Sequence, residues 1–203
     1  MATLIDTPTG PGRLHIYESD GSERGTVILG HGAGGSQQTP DALLLAEVLP
    51  RDGWRTVLVD MPWRVAGRKV ATSPPTLDRG WQPLVEAAKG EGRLVLGGRS
   101  AGARVACRTA GPLRADAVLC LSFPLHPPGK PERSRAEELA TPCEIGLPVL
   151  VIQGRRDPFG TPEEVRAAAP DAVDVVPVSA AHSAPKNLDE MLIPVRAFLA
   201  DLG

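Results

Sequence analysis

The chain has 203 residues, with 22 Lys and Arg against 24 Asp and Glu, and 42% of its residues are hydrophobic. This near balance of charge excludes a broad field suited to nucleic acid or to an anionic membrane surface, so we expect neither as a partner. The length favours one domain over residues 1–203, and the absence of a signal-peptide pattern or a long apolar run favours a cytoplasmic protein.

Short apolar runs recur along the chain and predict β-strands. They cover residues 27–30, 56–60, 94–97, 117–121, 149–153 and 173–178, and residues 13–18 can add an N-terminal strand. Most of these runs are continuously apolar, which is typical of strands covered by helices on both faces. The last run contains Pro177, which favours an edge position.

Helices are predicted between these strands. Start signals, an N-cap residue followed by proline or by an acid three positions later, occur at Thr39–Pro40, Ser134–Glu137 and Thr161–Glu164. A final helix is predicted over residues 188–199, interrupted at Pro194. The proline-rich stretches 73–76 and 124–131 are predicted as loops.

This alternation of strands and helices predicts an α/β fold. We expect an open, mostly parallel, doubly wound sheet of about six or seven strands with helices on both faces. The longest connections, residues 61–76 and 122–133, are too short for a helical cap domain. The three cysteines have no C-x-x-C spacing, so neither a disulfide framework nor a metal site is expected.

The most informative motif is Gly98-Arg99-Ser100-Ala101-Gly102, which follows an apolar run and precedes an alanine-rich helical stretch. A G-x-S-x-G sequence in that context is typical of a nucleophile elbow, a tight strand-to-helix turn that exposes the serine hydroxyl. A serine hydroxyl is a weak nucleophile at neutral pH, so it needs a general base and an acid that orients the base.

Both partners follow Ser100 in the order Ser, Asp, His that this kind of turn uses. Asp157 comes after the predicted strand 149–153, and His182 comes after the predicted strand 173–178. Catalytic groups in open α/β sheets collect at the carboxyl ends of the strands. The sequence therefore predicts Ser100, Asp157 and His182 at one edge of the sheet.

Other residues compete for these roles. Asp60 also ends a strand but precedes the serine, and Asp174 lies within a strand rather than in a loop. Of the four histidines, His15 lies in the first strand, His31 is expected to make a structural hydrogen bond, and His126 follows a different strand.

Acyl transfer also needs donors for the oxyanion of the tetrahedral intermediate. The backbone N–H of Ala101, at the start of the helix after the serine, is one candidate. The second is expected from the glycine-rich loop His31–Gly35, where we favour Ala33 over Gly34. That loop matches neither common phosphate-binding glycine motif, so we expect no nucleotide cofactor.

Two loops at the same edge carry cationic side chains, Arg64, Arg68, Lys69 and Lys130. They can form a cationic rim for an acyl group bearing a carboxylate or phosphate, or they can be ordinary solvated surface.

Four segments together resemble small, lid-less bacterial α/β-hydrolases of the dienelactone-hydrolase-like type, including the group related to testis-expressed and KANSL-type proteins. These segments are Leu29–Gly35, Gly98–Gly102, Pro124–Pro131 and Gln153–Gly160. The resemblance implies that Ser100, Asp157 and His182 are nucleophile, acid and base. Dienelactone hydrolases proper use a cysteine nucleophile, whereas this chain has a serine.

Two functions follow from these observations. The first is a serine hydrolase that cleaves a small carboxylic ester or thioester through an acyl-enzyme, without cofactor or metal. The alternative is a non-catalytic protein of the same fold that binds a ligand or partner, since a fold does not guarantee chemistry. The presence of all three triad residue types in order favours the hydrolase.

Overall fold

The computed structural model of the protein describes residues 2–34 and 38–203. Gly35, the last residue of the predicted oxyanion loop, lies outside these ranges.

The described residues form one sheet of eight strands in the order β1-β2-β4-β3-β5-β6-β7-β8. The strands are β1 Ala2–Ile5, β2 Gly12–Tyr17, β3 Gly25–Gly30, β4 Trp54–Asp60, β5 Arg93–Arg99, β6 Ala117–Leu121, β7 Val149–Gly154 and β8 Val173–Val178. Strands β3 to β8 run parallel to their neighbours, whereas β2 pairs antiparallel with β1 and β4. The expected open, mostly parallel α/β sheet is confirmed.

The sheet has one strand more than expected, and the reason lies in β1. Its residues are mostly exposed, so the segment lacks the apolar run that marks a buried strand. At the opposite edge, β8 contains Pro177, as the sequence predicted.

Within residues 2–34 and 38–203, seven α-helices connect or flank the strands. They are α1 Pro40–Val48, α2 Pro62–Val65, α3 Pro74–Ala88, α4 Ala101–Thr109, α5 Ala136–Glu144, α6 Pro162–Ala168 and α7 Asp189–Asp201, with 3₁₀ turns at Leu49–Asp52 and Pro131–Arg133. Pro194 lies inside α7, which continues past it to Asp201. In the described part of the chain, no helix is both long and apolar enough to span a bilayer.

Two of the local predictions were wrong. Residues 74–76 are not a loop, because Pro74 opens α3 at a position where a helix needs no N–H. Ser134 does not form a capping box: Arg135 is the N-cap of α5, and the Ser134 hydroxyl accepts from the Ala136 N–H at 3.2 Å. The capping box between Thr161 and Glu164 is present as predicted.

Helices cover both faces of the sheet, and each face has its own apolar core. On one face, α3 to α6 bury side chains such as Trp81, Ala106, Leu139 and Val165 against the strands. On the other face, α1 and α7 contribute Leu45, Met191, Val195 and Leu199. Because the six parallel strands all end at the same edge, the loops that follow them are brought together there.

Candidate active site

Ser100 lies at a sharp turn between β5 and α4. Its backbone has φ 53° and ψ −108°, a strained conformation for a residue with a side chain. A Cβ on Gly98 would lie 2.2 Å from the carbonyl oxygen of Gly30, and one on Gly102 would lie 2.3 Å from the same atom. The turn can therefore press against the end of β3 only because both flanking residues are glycine.

The structure brings Ser100, His182 and Asp157 into one hydrogen-bonded chain. His182 Nε2 lies 2.8 Å from Ser100 Oγ, and His182 Nδ1 lies 2.7 Å from Asp157 Oδ2. A carboxylate only accepts hydrogen bonds, so Nδ1 carries the imidazole proton and Nε2 is left to accept from the serine hydroxyl. The carboxylate side chain is fully buried, whereas that of His182 is 19% exposed.

Buried groups that the sequence analysis missed hold the Asp157 carboxylate. Gln153, which is fully buried at the end of β7, donates from Nε2 to Asp157 Oδ2 at 3.2 Å. The Phe159 N–H donates to Oδ1 at 2.9 Å, and the Phe159 ring lies 4.3 Å from the His182 ring, centroid to centroid. The signal for Gln153 was a polar residue within an otherwise apolar strand.

The competing acids lie elsewhere. Asp60 contacts His15 Nε2 at 2.9 Å and Arg13 at 3.7 Å. Asp174 is exposed on the edge strand β8.

The remaining histidines are tied to backbone groups. His31 Nδ1 donates to the Gly32 carbonyl at 2.9 Å, and Nε2 accepts the Met61 N–H at 3.1 Å. Burial lowers the pKa of His31 below its ordinary value, which favours this neutral form. His126 Nδ1 donates to the Pro127 carbonyl at 3.0 Å.

Both predicted oxyanion donors lie beside Ser100. Ala101 is the first residue of α4, so its N–H belongs to the unpaired amides at the helix start. Ala33 and Gly34 line the same cavity as Ser100 and His182, so the choice between them stays a prediction. A Cβ on Gly32 would lie 3.6 Å from that of Ser100, which shows how closely this loop approaches the serine.

Ser100 opens into a cavity of about 420 Å³. Its charged lining differs from the cationic rim that was one of two possibilities for the loops 61–76 and 122–133. Arg64 lines a separate cavity beside Asp60, Arg68 lines a third cavity, and Lys69 and Lys130 are exposed. The cations that line the Ser100 cavity are instead Arg99, Arg104 and Arg135.

Arg99, the residue before Ser100 in the elbow motif, is held in a structural ion pair. It forms an ion pair with Asp41, whose carboxylate is fully buried at the start of α1, and it donates to Ser122 Oγ at 3.0 Å. These contacts join α1 and the loop after β6 to the turn that carries Ser100.

No cysteine is among the described residues that line the Ser100 cavity. Cys107 and Cys120 are buried with their sulfur atoms 3.6 Å apart. The hydrogen bond to Cys120 and burial raise the pKa of the Cys107 thiol well above its ordinary value, so it stays a thiol. Among residues 2–34 and 38–203, no group of three or more His, Cys, Asp or Glu side chains could hold a metal ion.

Residues 23–188 match the family described as Alpha/beta hydrolase domain. No curated protein sequence matches the chain significantly. Among similar solved structures, an alpha-beta serine hydrolase homologue from Coxiella burnetii has a TM-score of 0.74 and 21% identity, covering 99% of this chain and 96% of that one. XC6422 from Xanthomonas campestris, an α/β serine hydrolase without a lid, has a TM-score of 0.67 and 20% identity over 100% and 92% of the two chains. Est1E from Butyrivibrio proteoclasticus has a TM-score of 0.79 and 16% identity over 99% and 98%.

Proposed function

The chain belongs to the alpha/beta hydrolase family, and from that membership we propose that it is a serine hydrolase that cleaves small carboxylic esters or thioesters. The observation that carries the proposal is the hydrogen-bonded chain from Asp157 through His182 to Ser100 Oγ, which ends in an accessible cavity. The reaction needs no group beyond this chain's own residues and water.

In the first half of the reaction, Ser100 Oγ attacks the substrate carbonyl carbon. His182 Nε2, 2.8 Å away, takes the hydroxyl proton as the new C–O bond forms. The buried Asp157 carboxylate holds the imidazole in the tautomer that accepts this proton and stabilises the imidazolium that results. Gln153 and the Phe159 N–H keep the carboxylate oriented.

The carbonyl oxygen becomes an oxyanion, and the N–H groups of Ala101 and Ala33 donate to it. Each such donor contributes about 3 to 4 kcal/mol to transition-state stabilisation in comparable sites. The intermediate collapses when the bond to the alcohol or thiol breaks and His182 returns its proton to the leaving group. A water molecule then attacks the acyl carbon while His182 takes its proton. The bond to Ser100 Oγ breaks, that oxygen receives the proton from His182, and the carboxylic acid leaves.

The test combines turnover and covalent labelling of the same protein. Wild type and Ser100→Ala are assayed with 4-nitrophenyl butyrate and with an aryl thiobutyrate, and both are treated with a fluorophosphonate probe. We expect wild type to turn over and take the label, and Ser100→Ala to lose the label and at least about 10⁴-fold in kcat. Ser19→Ala, at a partly exposed serine after β2, is the control and should behave as wild type.

A folded wild type that shows neither turnover nor labelling would contradict the proposal and favour a ligand-binding protein of the same fold. Labelling that survives in Ser100→Ala would place the nucleophile elsewhere. The ratio of ester to thioester turnover separates the two substrate classes.

A further inference from the structure

The cavity beside Ser100 has an uneven charge distribution. Three arginines line it, and the described residues that line it include no Asp or Glu. Two of the arginines are neutralised by the protein itself. Arg99 pairs with the buried Asp41, and Arg104 holds Glu138 through two hydrogen bonds, Nε to Oε2 at 2.7 Å and Nη2 to Oε1 at 2.6 Å.

Arg135, the third arginine, is different. It is half-buried at the start of α5, and within residues 2–34 and 38–203 it forms no ion pair with a carboxylate. Its one described side-chain hydrogen bond runs from Nη1 to the Pro124 carbonyl at 2.8 Å, and Pro124 lines the same cavity. That bond fixes the guanidinium in place and leaves most of its five N–H donors for a ligand.

The charges around Arg135 do not compensate it. Glu138, whose charge acts on Arg135, is already shared between Arg104 and Arg108, and Arg108 also pairs with Asp78. Burial and the charge of Arg104 lower the pKa of Arg135 from the usual high value of an arginine, and the guanidinium stays protonated. The Arg135 guanidinium is therefore a partly desolvated positive charge without a carboxylate partner among the described residues.

The geometry points to a specificity role for this residue: we propose that Arg135 binds a carboxylate carried by the ester substrate, so that anionic esters are preferred over neutral ones. The inference rests on the proposed function, because it describes the substrate of the same Ser100 site. A planar guanidinium matches the two oxygens of a carboxylate, and a partly desolvated site strengthens the contact.

The test uses matched pairs of esters that differ only in charge. For a carboxylate on the acyl side, 4-nitrophenyl hydrogen glutarate is compared with its methyl ester, after subtraction of the enzyme-free rate. For a carboxylate on the alcohol side, 4-acetoxybenzoate is compared with methyl 4-acetoxybenzoate. The pair that shows a preference for the anion identifies the part of the substrate that reaches Arg135.

We expect wild type to have the higher kcat/KM for the anionic member of one pair. Arg135→Gln should lower kcat/KM for that member by about tenfold to a hundredfold, the loss expected for a hydrogen-bonded charge pair, while the neutral member is hydrolysed at the wild-type rate. Arg135→Lys, which keeps the charge but not the planar fork, should fall between the two. Arg133→Gln removes an exposed arginine two residues away and serves as the control.

Equal kcat/KM for charged and neutral esters in wild type would overturn the inference, and so would a preference that persists in Arg135→Gln. An equal loss on both members in Arg135→Gln and Arg135→Lys would assign Arg135 a structural role only. Absence of turnover on all four esters in a folded wild type would instead contradict the proposed hydrolase.

Discussion

The described residues include two histidine–aspartate pairs, each with an aspartate that follows or ends a parallel strand. His182 contacts Asp157 at 2.7 Å beyond the end of β7, and His15 contacts Asp60 at 2.9 Å at the end of β4. In the first pair, Ser100 Oγ lies 2.8 Å from the second imidazole nitrogen. In the second pair, Arg13 lies 3.7 Å from the same oxygen of Asp60.

The two pairs differ in how each imidazole is oriented and in which groups hold each carboxylate. His182 directs Nδ1 to the acid and so leaves Nε2 for the serine, whereas His15 directs Nε2 to its acid. Asp157 is held by a buried glutamine and a backbone N–H, whereas Asp60 shares its charge with an arginine. The surroundings of each pair therefore predict activation of a serine for the first pair and a structural contact for the second.

The strongest test of the difference between the two pairs is to remove the charge of each aspartate in turn and measure turnover. Asp157→Asn should lower kcat for 4-nitrophenyl butyrate by about 10⁴-fold, because the amide no longer holds the productive imidazole tautomer. Asp60→Asn should stay within about twofold of wild type, since it touches neither Ser100 nor His182. Steady-state kinetics with thermal melts as a check on folding would measure both, and comparable losses from the two changes would refute the distinction.

A smaller effect on kcat is expected from changing Gln153, which contacts Asp157 of the first pair. Gln153→Met removes the N–H that Asp157 Oδ2 accepts, and the loss of one hydrogen bond to a charged group should lower kcat by about tenfold. KM should not change, because Gln153 is not among the residues that line the cavity. Gln82→Met, at an exposed glutamine on α3, is the matched control.

Gln153 also donates to the carbonyls of Phe123 and Gly160, so some loss of thermal stability accompanies the change. A lower melting temperature with unchanged kcat would show that the glutamine only stabilises the loop and does not position the aspartate.

The smallest expected effect concerns His31, which lies between the two pairs and titrates differently in the folded and unfolded chain. Burial lowers its pKa in the folded protein below the ordinary value of 6.5. As the pH falls below 6.5, His31 takes up a proton in the unfolded chain before it does so in the folded protein. His31 therefore lowers the free energy of unfolding progressively from about pH 6.5 down to its pKa in the folded protein. Above pH 6.5 it contributes no pH dependence.

His31→Gln should therefore flatten the fall in melting temperature between pH 7.5 and pH 5.5, a range in which most carboxyl groups remain ionised. Each kcal/mol corresponds to about 2–4 °C for a chain of this size, so the difference is measurable by calorimetry. The substitution also replaces the His31 hydrogen bonds with Gly32 and Met61 at every pH, so the slope, and not the melting temperature at one pH, is the decisive quantity. Identical slopes in the two proteins would contradict this account.

The sequence predicted the sheet and the meeting of Ser100, Asp157 and His182 because both depend on patterns local to each strand and its following loop. Strand ends in a parallel sheet share one edge, so chain order was enough to bring the three residues together. The edge strand β1 was missed because its exposed residues carry no apolar pattern.

The arginines that line the cavity were harder to predict from the sequence. Arg104 could have been found, since it lies four residues after Ser100 and therefore on the same side of α4. Arg135 could not, because its position depends on how the loop after β6 folds back and offers the Pro124 carbonyl. Arg64 and Lys130 were candidates for a cationic rim because their loops follow strand ends, yet neither lines the Ser100 cavity.

The contact between the elbow and β3 has a consequence for how this protein can diverge or be re-engineered. Gly98 and Gly102 both face the carbonyl oxygen of Gly30, so a methyl group at either position requires β3 to retreat, and β3 leads directly into the loop that holds Ala33. Mutations there are therefore expected to shift Ser100 and the loop that holds Ala33 together. A library aimed at new substrates should therefore leave these glycines fixed and diversify Pro124, Arg135 and Phe159, which can change the cavity without moving the serine.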